Sequence, residues 1–158
     1  VEQSDKKAFN YYQLAAEQGE TAAFFPLGYC YKEGKGVEQS HQKACYYYHL
    51  AAECGSSAAL RELADAYEHG IGVKKSQEKA NFYRQQRFNI YKAKADLGNK
   101  EAQVWVGNCF EDGLGVKTSL EHAFRYYKLS ADQNCLRGIY HVARCFEEGI
   151  GVPKSVEN

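Results

Sequence analysis

The sequence predicts an all-α fold, a solenoid of antiparallel helix pairs, and three observations carry that prediction. The strings Gly34-Lys35-Gly36-Val37, Gly70-Ile71-Gly72-Val73, Gly113-Leu114-Gly115-Val116 and Gly149-Ile150-Gly151-Val152 are one motif written four times, at intervals of 36, 43 and 36 residues. A serine stands three residues after each motif valine, at Ser40, Ser76, Ser119 and Ser155, and Ser4 follows Val1 in the same way. Between these anchors the apolar residues fall at helical spacing. A fixed period of this length marks stacked supersecondary units, none of which can bury its apolar face alone.

Each element has a local cause. The serine hydroxyls can accept an orphan N–H at a helix start, so all five read as N-caps. From each cap runs an aromatic-rich amphipathic segment, such as Lys43 to Ala52, which stops at Gly19, Gly55 or Gly98, with Asn134 in that place once. A second helix follows at once, as in Ala58 to His69, and ends at the first glycine of the next motif. The paired glycines, Gly34 and Gly36, Gly70 and Gly72, Gly113 and Gly115, Gly149 and Gly151, allow the positive φ values that turn the chain back.

The chain therefore divides into residues 1–20, the second helix of a preceding repeat; 21–56, a repeat; 57–99, a repeat with a seven-residue insertion; 100–135, a repeat; and 136–158, a partial repeat. It reads as a piece of a longer protein. The insertion falls around Gln85 to Tyr91. Seven residues at about 100° each return a helix to within roughly 20° of its original face, so the helix can lengthen by two turns and keep its register. Arg84, Arg87, Lys92 and Lys94 make the extension locally basic and predict a positive projection, a candidate docking site.

Composition fits a folded chain. Of 158 residues, 44% are hydrophobic and 25% charged, and twenty basic side chains balance twenty acidic ones. A zero formal charge removes the long-range field that gathers proteins onto nucleic acid or anionic membrane, so neither is an expected partner. No apolar run approaches the roughly 20 residues that span a bilayer.

The pattern A-x-x-x-L-G-x-x-Y-x-x-G-x-G-V followed by x-x-S-x-x-K-A-x-x-Y-Y-x-x-A-A-x-x-G resembles the Sel-1-like repeat family, relatives of the tetratricopeptide repeats. Ala23, Leu27, Gly28, Tyr31, Gly34, Gly36 and Val37 carry it, continued by Lys43, Ala44, Tyr47, Tyr48, Ala51, Ala52 and Gly55. The resemblance covers essentially the whole chain. It implies a right-handed tetratricopeptide-like superhelix and a scaffold or adaptor role, with a protein or peptide segment as partner, no cofactor and no direct membrane contact. Pro26 departs from the pattern and predicts a helix that starts late or bends.

Three chemical readings compete with the structural ones. Ser4-x-x-Lys7, Ser40-x-x-Lys43 and Ser76-x-x-Lys79 match the S-x-x-K pattern of penicillin-recognising enzymes, and some cysteine-rich bacterial relatives of the repeat family are associated with β-lactam binding. No S-D-N or K-T-G partner string accompanies them, so capping is the expected role and no catalytic residue is assigned. His41, Cys45 and His49 share a helix face but spread over about 12 Å, too far to close on one metal ion. Six cysteines invite a disulfide reading, with Cys30 and Cys45 the first pair to check. Cys30, Cys109 and Cys145, however, hold one repeat position that Ala66 also fills, which suits small buried residues. The cysteine-rich relatives pair thiols eight residues apart, a spacing absent here, so reduced thiols and a cytosolic setting are favoured.

In an array of this kind the first helix of each repeat lines the inner surface. Leu27, Leu63, Val106 and Val142 face the packing, with Tyr31, Tyr67, Phe110 and Phe146. The positions pointing away from that core differ between repeats: Phe25, Arg61, Val104 and Tyr140; Pro26, Glu62, Trp105 and His141; Tyr29, Asp65, Asn108 and Arg144. Packing needs sameness and recognition needs difference. Phe25, Tyr29, Arg61, Asp65, Val104, Trp105, Asn108, Tyr140 and Arg144 are therefore the candidate partner-binding residues. A scaffold, a β-lactam-binding enzyme and a structural arm of a larger protein remain the three functional readings.

Overall fold

A computed structural model describes residues 2–152, with helices α1 Glu2–Glu17, α2 Phe24–Glu33, α3 His41–Glu53, α4 Ser57–His69, α5 Gln77–Asp96, α6 Lys100–Asp112, α7 Leu120–Ala131 and α8 Leu136–Glu148. No strand occurs among the described residues. The chain divides between Arg84 and Gln85, within α5, into two compact units. In the first unit α1, α2, α3 and α4 pack in sequence, and in the second α6 packs on α7 and α7 on α8.

The turns explain why the elements end where they do. Gly34, Gly70, Gly113 and Gly149 close α2, α4, α6 and α8 with φ between 68° and 73°, and each donates its N–H to the carbonyl of Cys30, Ala66, Cys109 or Cys145. The same four carbonyls receive the next N–H as well, from Lys35, Ile71, Leu114 and Ile150. The N–H of Ser40, Ser76 and Ser119 then returns to the carbonyl of Tyr31, Tyr67 and Phe110, at 2.8–2.9 Å. Once the backbone is turned, the serine hydroxyls accept from Lys43, Lys79 and His122 N–H and open the next helix. Ser4 is different: it lies inside α1, which already runs from Glu2, so it caps nothing there. Ser155 lies outside the described residues.

The second glycine of the motif has a further duty. A Cβ on Gly72 would lie 2.4 Å from the carbonyl oxygen of His41, and one on Gly36 2.3 Å from that of Asp5. In the second unit Gly151 stands in the same relation to Leu120, at 2.1 Å. Each of these glycines thus seats the turn directly on the first part of the preceding repeat's second helix, backbone against backbone.

Within a repeat the two helices lock through a tyrosine on a glycine. A Cβ on Gly28 would meet the Tyr48 ring at 2.6 Å, and one on Gly107 the Tyr127 ring at 2.4 Å. Around these contacts Leu27, Leu63 and Val106 are fully buried. The core of each unit continues through ring stacks, Tyr31 on Tyr47 and Tyr67 on Tyr83 in the first and Phe110 on Tyr126 in the second. Phe146 holds the place of Tyr31 but is 51% exposed, and Val142 is only half-buried.

Two sequence irregularities appear as expected. α2 starts at Phe24, after a single 3-10 turn at Thr21–Ala23, where α4, α6 and α8 already have regular helix, so Pro26 falls in the first turn and costs no internal hydrogen bond. α5 has 20 residues against 13 in α3, so the insertion is absorbed as uninterrupted helix. Asn134 takes φ 57°, the only positive value outside glycine among the described residues.

The glycine seats set up a comparison of two variants with the same backbone strain. Gly55 and Gly72 both have positive φ, but a Cβ on Gly55 meets nothing within 4 Å. Gly55→Ala should cost about 1–2 kcal/mol for the left-handed conformation. Gly72→Ala should cost a further ~1–3 kcal/mol for overpacking against backbone that cannot swing away. Urea denaturation of the two variants checks the difference; equal losses would remove the seating contact as a determinant.

Candidate functional site

The residues that suggested chemistry are engaged elsewhere. Ser40 and Ser76 hydroxyls serve backbone N–H groups, while the ammonium groups of Lys43 and Lys79 lie 5.3 and 5.0 Å from the ring centres of Tyr31 and Tyr67. The His49 ring sits between the hydroxyls of Tyr67 and Tyr83, at 3.4 and 3.2 Å, and the Cys45 thiol donates to the Ile71 carbonyl at 3.4 Å. No group of metal-ligating side chains gathers among the described residues, and all six cysteines are free. Burial pushes the Cys109 thiol up to about 12 and raises those of Cys30 and Cys45, which suits packing rather than nucleophilic use.

The variable positions of the first helices separate into three groups. Tyr140 (64% exposed), Tyr29 (40%), Arg61 and Asp65 are open to solvent, and the Lys35 ammonium donates to Tyr29's hydroxyl at 3.1 Å. Trp105, Asn108 and Arg144 are half-buried. Val104 and Phe25 depart from the expected exposure. Val104 is 2% exposed, because α6 buries seven of its thirteen residues, Ala102 to Val104 among them, an arc wider than one helical stripe. Phe25 is half-buried and packs on Tyr48, ring centres 5.4 Å apart.

In the second unit these residues build an open groove of about 290 Å³. Trp105, Asn108, Asn99 and Glu101 come from α6 and its cap, Arg137 from α8, and Tyr91 and Lys94 from α5. Tyr91 lies on Trp105 with ring centres 4.3 Å apart, and the Arg87 guanidinium covers the indole at 4.8 Å. Beside the groove stands a closed polar cluster. Arg144 Nη2 donates to both carboxylate oxygens of Glu111, at 2.8 and 2.6 Å. The Tyr127 hydroxyl donates to Glu111 Oε2 at 2.7 Å and lies 2.8 Å from Asn108 Oδ1, while the His141 ring stacks on Tyr127 at 4.4 Å. Arg144 and Asn108 are thus tied into the fold.

Of the four basic groups of the expected positive projection on α5, two are ion-paired and two lie over aromatic rings. Arg84 pairs with Glu68 at 2.5 Å and Lys92 with Asp96 at 2.6 Å, Arg87 lies over Trp105, and the Lys94 ammonium stands 5.4 Å from the Tyr91 ring centre. A 20-residue helix with charges every few positions finds acceptors on its own and neighbouring helices, which residue counting does not show.

Four of the groove residues named above, Tyr91, Asn99, Glu101 and Arg137, were missed by the sequence reading. Tyr91 lies in the insertion, where no other repeat offers a comparison. Arg137 shares a column with Ala22, Ala58 and Glu101, which differ enough to have marked it.

With the repeat geometry in place, the family comparison is decisive: the Sel1 repeat model matches residues 1–20, 26–56, 57–85, 100–135 and 136–158. The chain belongs to the Sel1 repeat family. Among solved structures it is similar to a Sel1 repeat protein from Oxalobacter formigenes, at 30% identity over 96% of this chain and 42% of that one, with a TM-score of 0.69. It is also similar to a protective antigen present in uropathogenic Escherichia coli strains, displaying an SLR fold, at 29% identity over 95% of this chain and 31% of that one, with a TM-score of 0.64. This Sel1 array therefore spans less than half the length of either structure. No curated protein matches it. No helix among the described residues is long and apolar enough to cross a membrane.

The Glu111 cluster gives this Sel1 array a pH dependence of known sign. Burial pushes the Glu111 carboxyl up, but hydrogen bonds from Arg144 and Tyr127 outweigh it and hold it below the ordinary carboxylate value. A carboxyl depressed in the folded state contributes stability above its unfolded value, near 4.3, and loses it as pH falls through the folded value. Glu111→Gln should therefore lower the thermal midpoint at pH 7 and flatten its fall below about pH 4. Thermal melts across pH 3 to 7 check this; parallel curves for variant and parent would contradict it.

Proposed function

We propose that this array is a protein-interaction scaffold that holds a segment of a partner protein on the first helices of its repeats. Sel1 repeat proteins generally serve as protein-interaction scaffolds. The observation that supports the reading most directly is the groove of the second unit. It joins an aromatic floor, Trp105 and Tyr91, to cationic and amide side chains, Lys94, Arg137, Asn99 and Asn108, from three helices. Aromatic groups beside guanidinium and ammonium groups are the composition of interface hot spots, and an open groove between helices admits an extended segment. Tyr140, one turn along α8 from Arg137, continues the exposed surface.

Serine–lysine chemistry gains no support from the geometry, since Ser40 and Ser76 serve their helix caps, Lys43 and Lys79 lie over tyrosine rings, and Ser4 lies inside α1.

A photocrosslinking residue at Tyr140 should capture a partner from extract of the source cells, whereas one at Gln86, on exposed α5, should not. Arg137→Glu should reduce the Tyr140 adduct by tenfold or more with the helical signal unchanged. Equal capture at both positions, or an adduct indifferent to Arg137, would count against the groove.

A further inference from the structure

The two units carry the same repeat in different chemical states, and the difference defines a site. Residues 79 positions apart correspond: Gly28 with Gly107, Tyr48 with Tyr127, Lys32 with Glu111, Glu62 with His141, and Asp65 with Arg144. In the second unit the carboxylate of Glu111 accepts from both the tyrosine hydroxyl and a guanidinium, and the ring of His141, its Nδ1 buried without a partner among the described residues, stacks on the tyrosine. In the first unit the charges at two of these positions are reversed, and the arrangement does not close. Lys32 turns to Glu62, with Nζ 2.7 Å from Oε2, and Arg61 takes the other carboxylate oxygen at 2.9 Å. Asp65, whose counterpart Arg144 is doubly bonded, is exposed, and its carboxylate is in no ion pair among the described residues.

Tyr48 pays the consequence. It is 2% exposed, its ring is wedged on Gly28, and its hydroxyl is buried with no hydrogen-bond partner. An orphaned buried hydroxyl is costly, and native structures keep few of them without a reason. Tyr48, Lys32, His41, Glu62 and Asp65 line a pocket of about 90 Å³ with Ala44, Cys45, Ala66 and Ile71 as its less polar walls. That is room for the head of one side chain.

We propose that this pocket receives an arginine side chain of the bound partner segment, its guanidinium donating to the Asp65 carboxylate and to the Tyr48 hydroxyl oxygen. The inference rests on the scaffold reading and names one residue of the segment. The unmet groups are an anion and a hydroxyl oxygen, and a planar group with five N–H donors serves both at once. A carboxylate would meet the unpaired Asp65 as a like charge, since Lys32 on the same wall is already paired with Glu62. An ammonium would satisfy Asp65 but offers no planar fork to reach Tyr48 as well. In the second unit a guanidinium from the corresponding position, Arg144, sits in the equivalent cluster, where it shares the Glu111 carboxylate with the Tyr127 hydroxyl.

The test titrates the whole chain with acetyl-Gly-Arg-Gly-amide and with its citrulline counterpart, following backbone amide shifts by NMR. The arginine peptide should shift the amides of residues around Asp65 and Ala44 saturably, and the citrulline peptide should bind at least tenfold more weakly. Asp65→Asn, at an exposed position, should weaken the arginine peptide by a similar factor. The double variant Lys32→Glu/Asp65→Arg transplants the arrangement of the second unit; it should raise the thermal midpoint and no longer respond to peptide. Equal binding of citrulline, shifts scattered over the surface, or an undiminished response in the double variant would each overturn the proposal. Capture at Tyr140 alongside a silent Asp65 pocket would overturn this inference alone and leave the scaffold reading in place.

Discussion

The close approach of backbone to backbone at Gly36, Gly72 and Gly151, the second glycine of three of the turns, is the constraint from which the rest of the structure follows. Gly36 on Asp5, Gly72 on His41 and Gly151 on Leu120 leave no room for a single methyl group. In each case the glycine stands 31 residues after its partner, so the contact fixes how far one repeat's second helix lies from the next repeat's turn. The doubly accepting carbonyls of Cys30, Ala66, Cys109 and Cys145 and the closing bonds at Ser40, Ser76 and Ser119 hold that turn rigid. Side chains then fill what the backbone has set, chiefly the tyrosines seated on Gly28 and Gly107.

This division of labour explains what was legible in the sequence. The turn is written in glycine and serine because few residues meet its backbone demands, and so those letters recur in every copy. The same logic exposed the late start of the helix at Pro26 and the left-handed Asn134. Ser4 misled because its place in the period was right while the helix around it already extends to Glu2.

Side-chain partnerships were less legible. Arg144 and Asn108 vary from repeat to repeat, as a recognition surface does, yet both close a polar cluster with Glu111 and Tyr127. Variation alone does not distinguish a residue that meets a partner from one that has found a local replacement for a lost contact. Val104 shows the geometric counterpart: angle counting from Leu27 assumes one buried stripe, and α6 has a broader one. Tyr91 lay in an insertion that repetition cannot interpret, although its stack on Trp105 forms the floor of the groove.

The tyrosine–glycine lock has a consequence for how such arrays change. Because the ring's seat is provided by a glycine and its polar neighbours come from separate helices, charges around it can be exchanged without disturbing the backbone. Lys32 and Asp65 in one unit, against Glu111 and Arg144 in the other, are such an exchange already made. After duplication, a lineage of this kind can rewire the polar groups around the ring by inverting a few side chains, and this chain carries two such wirings.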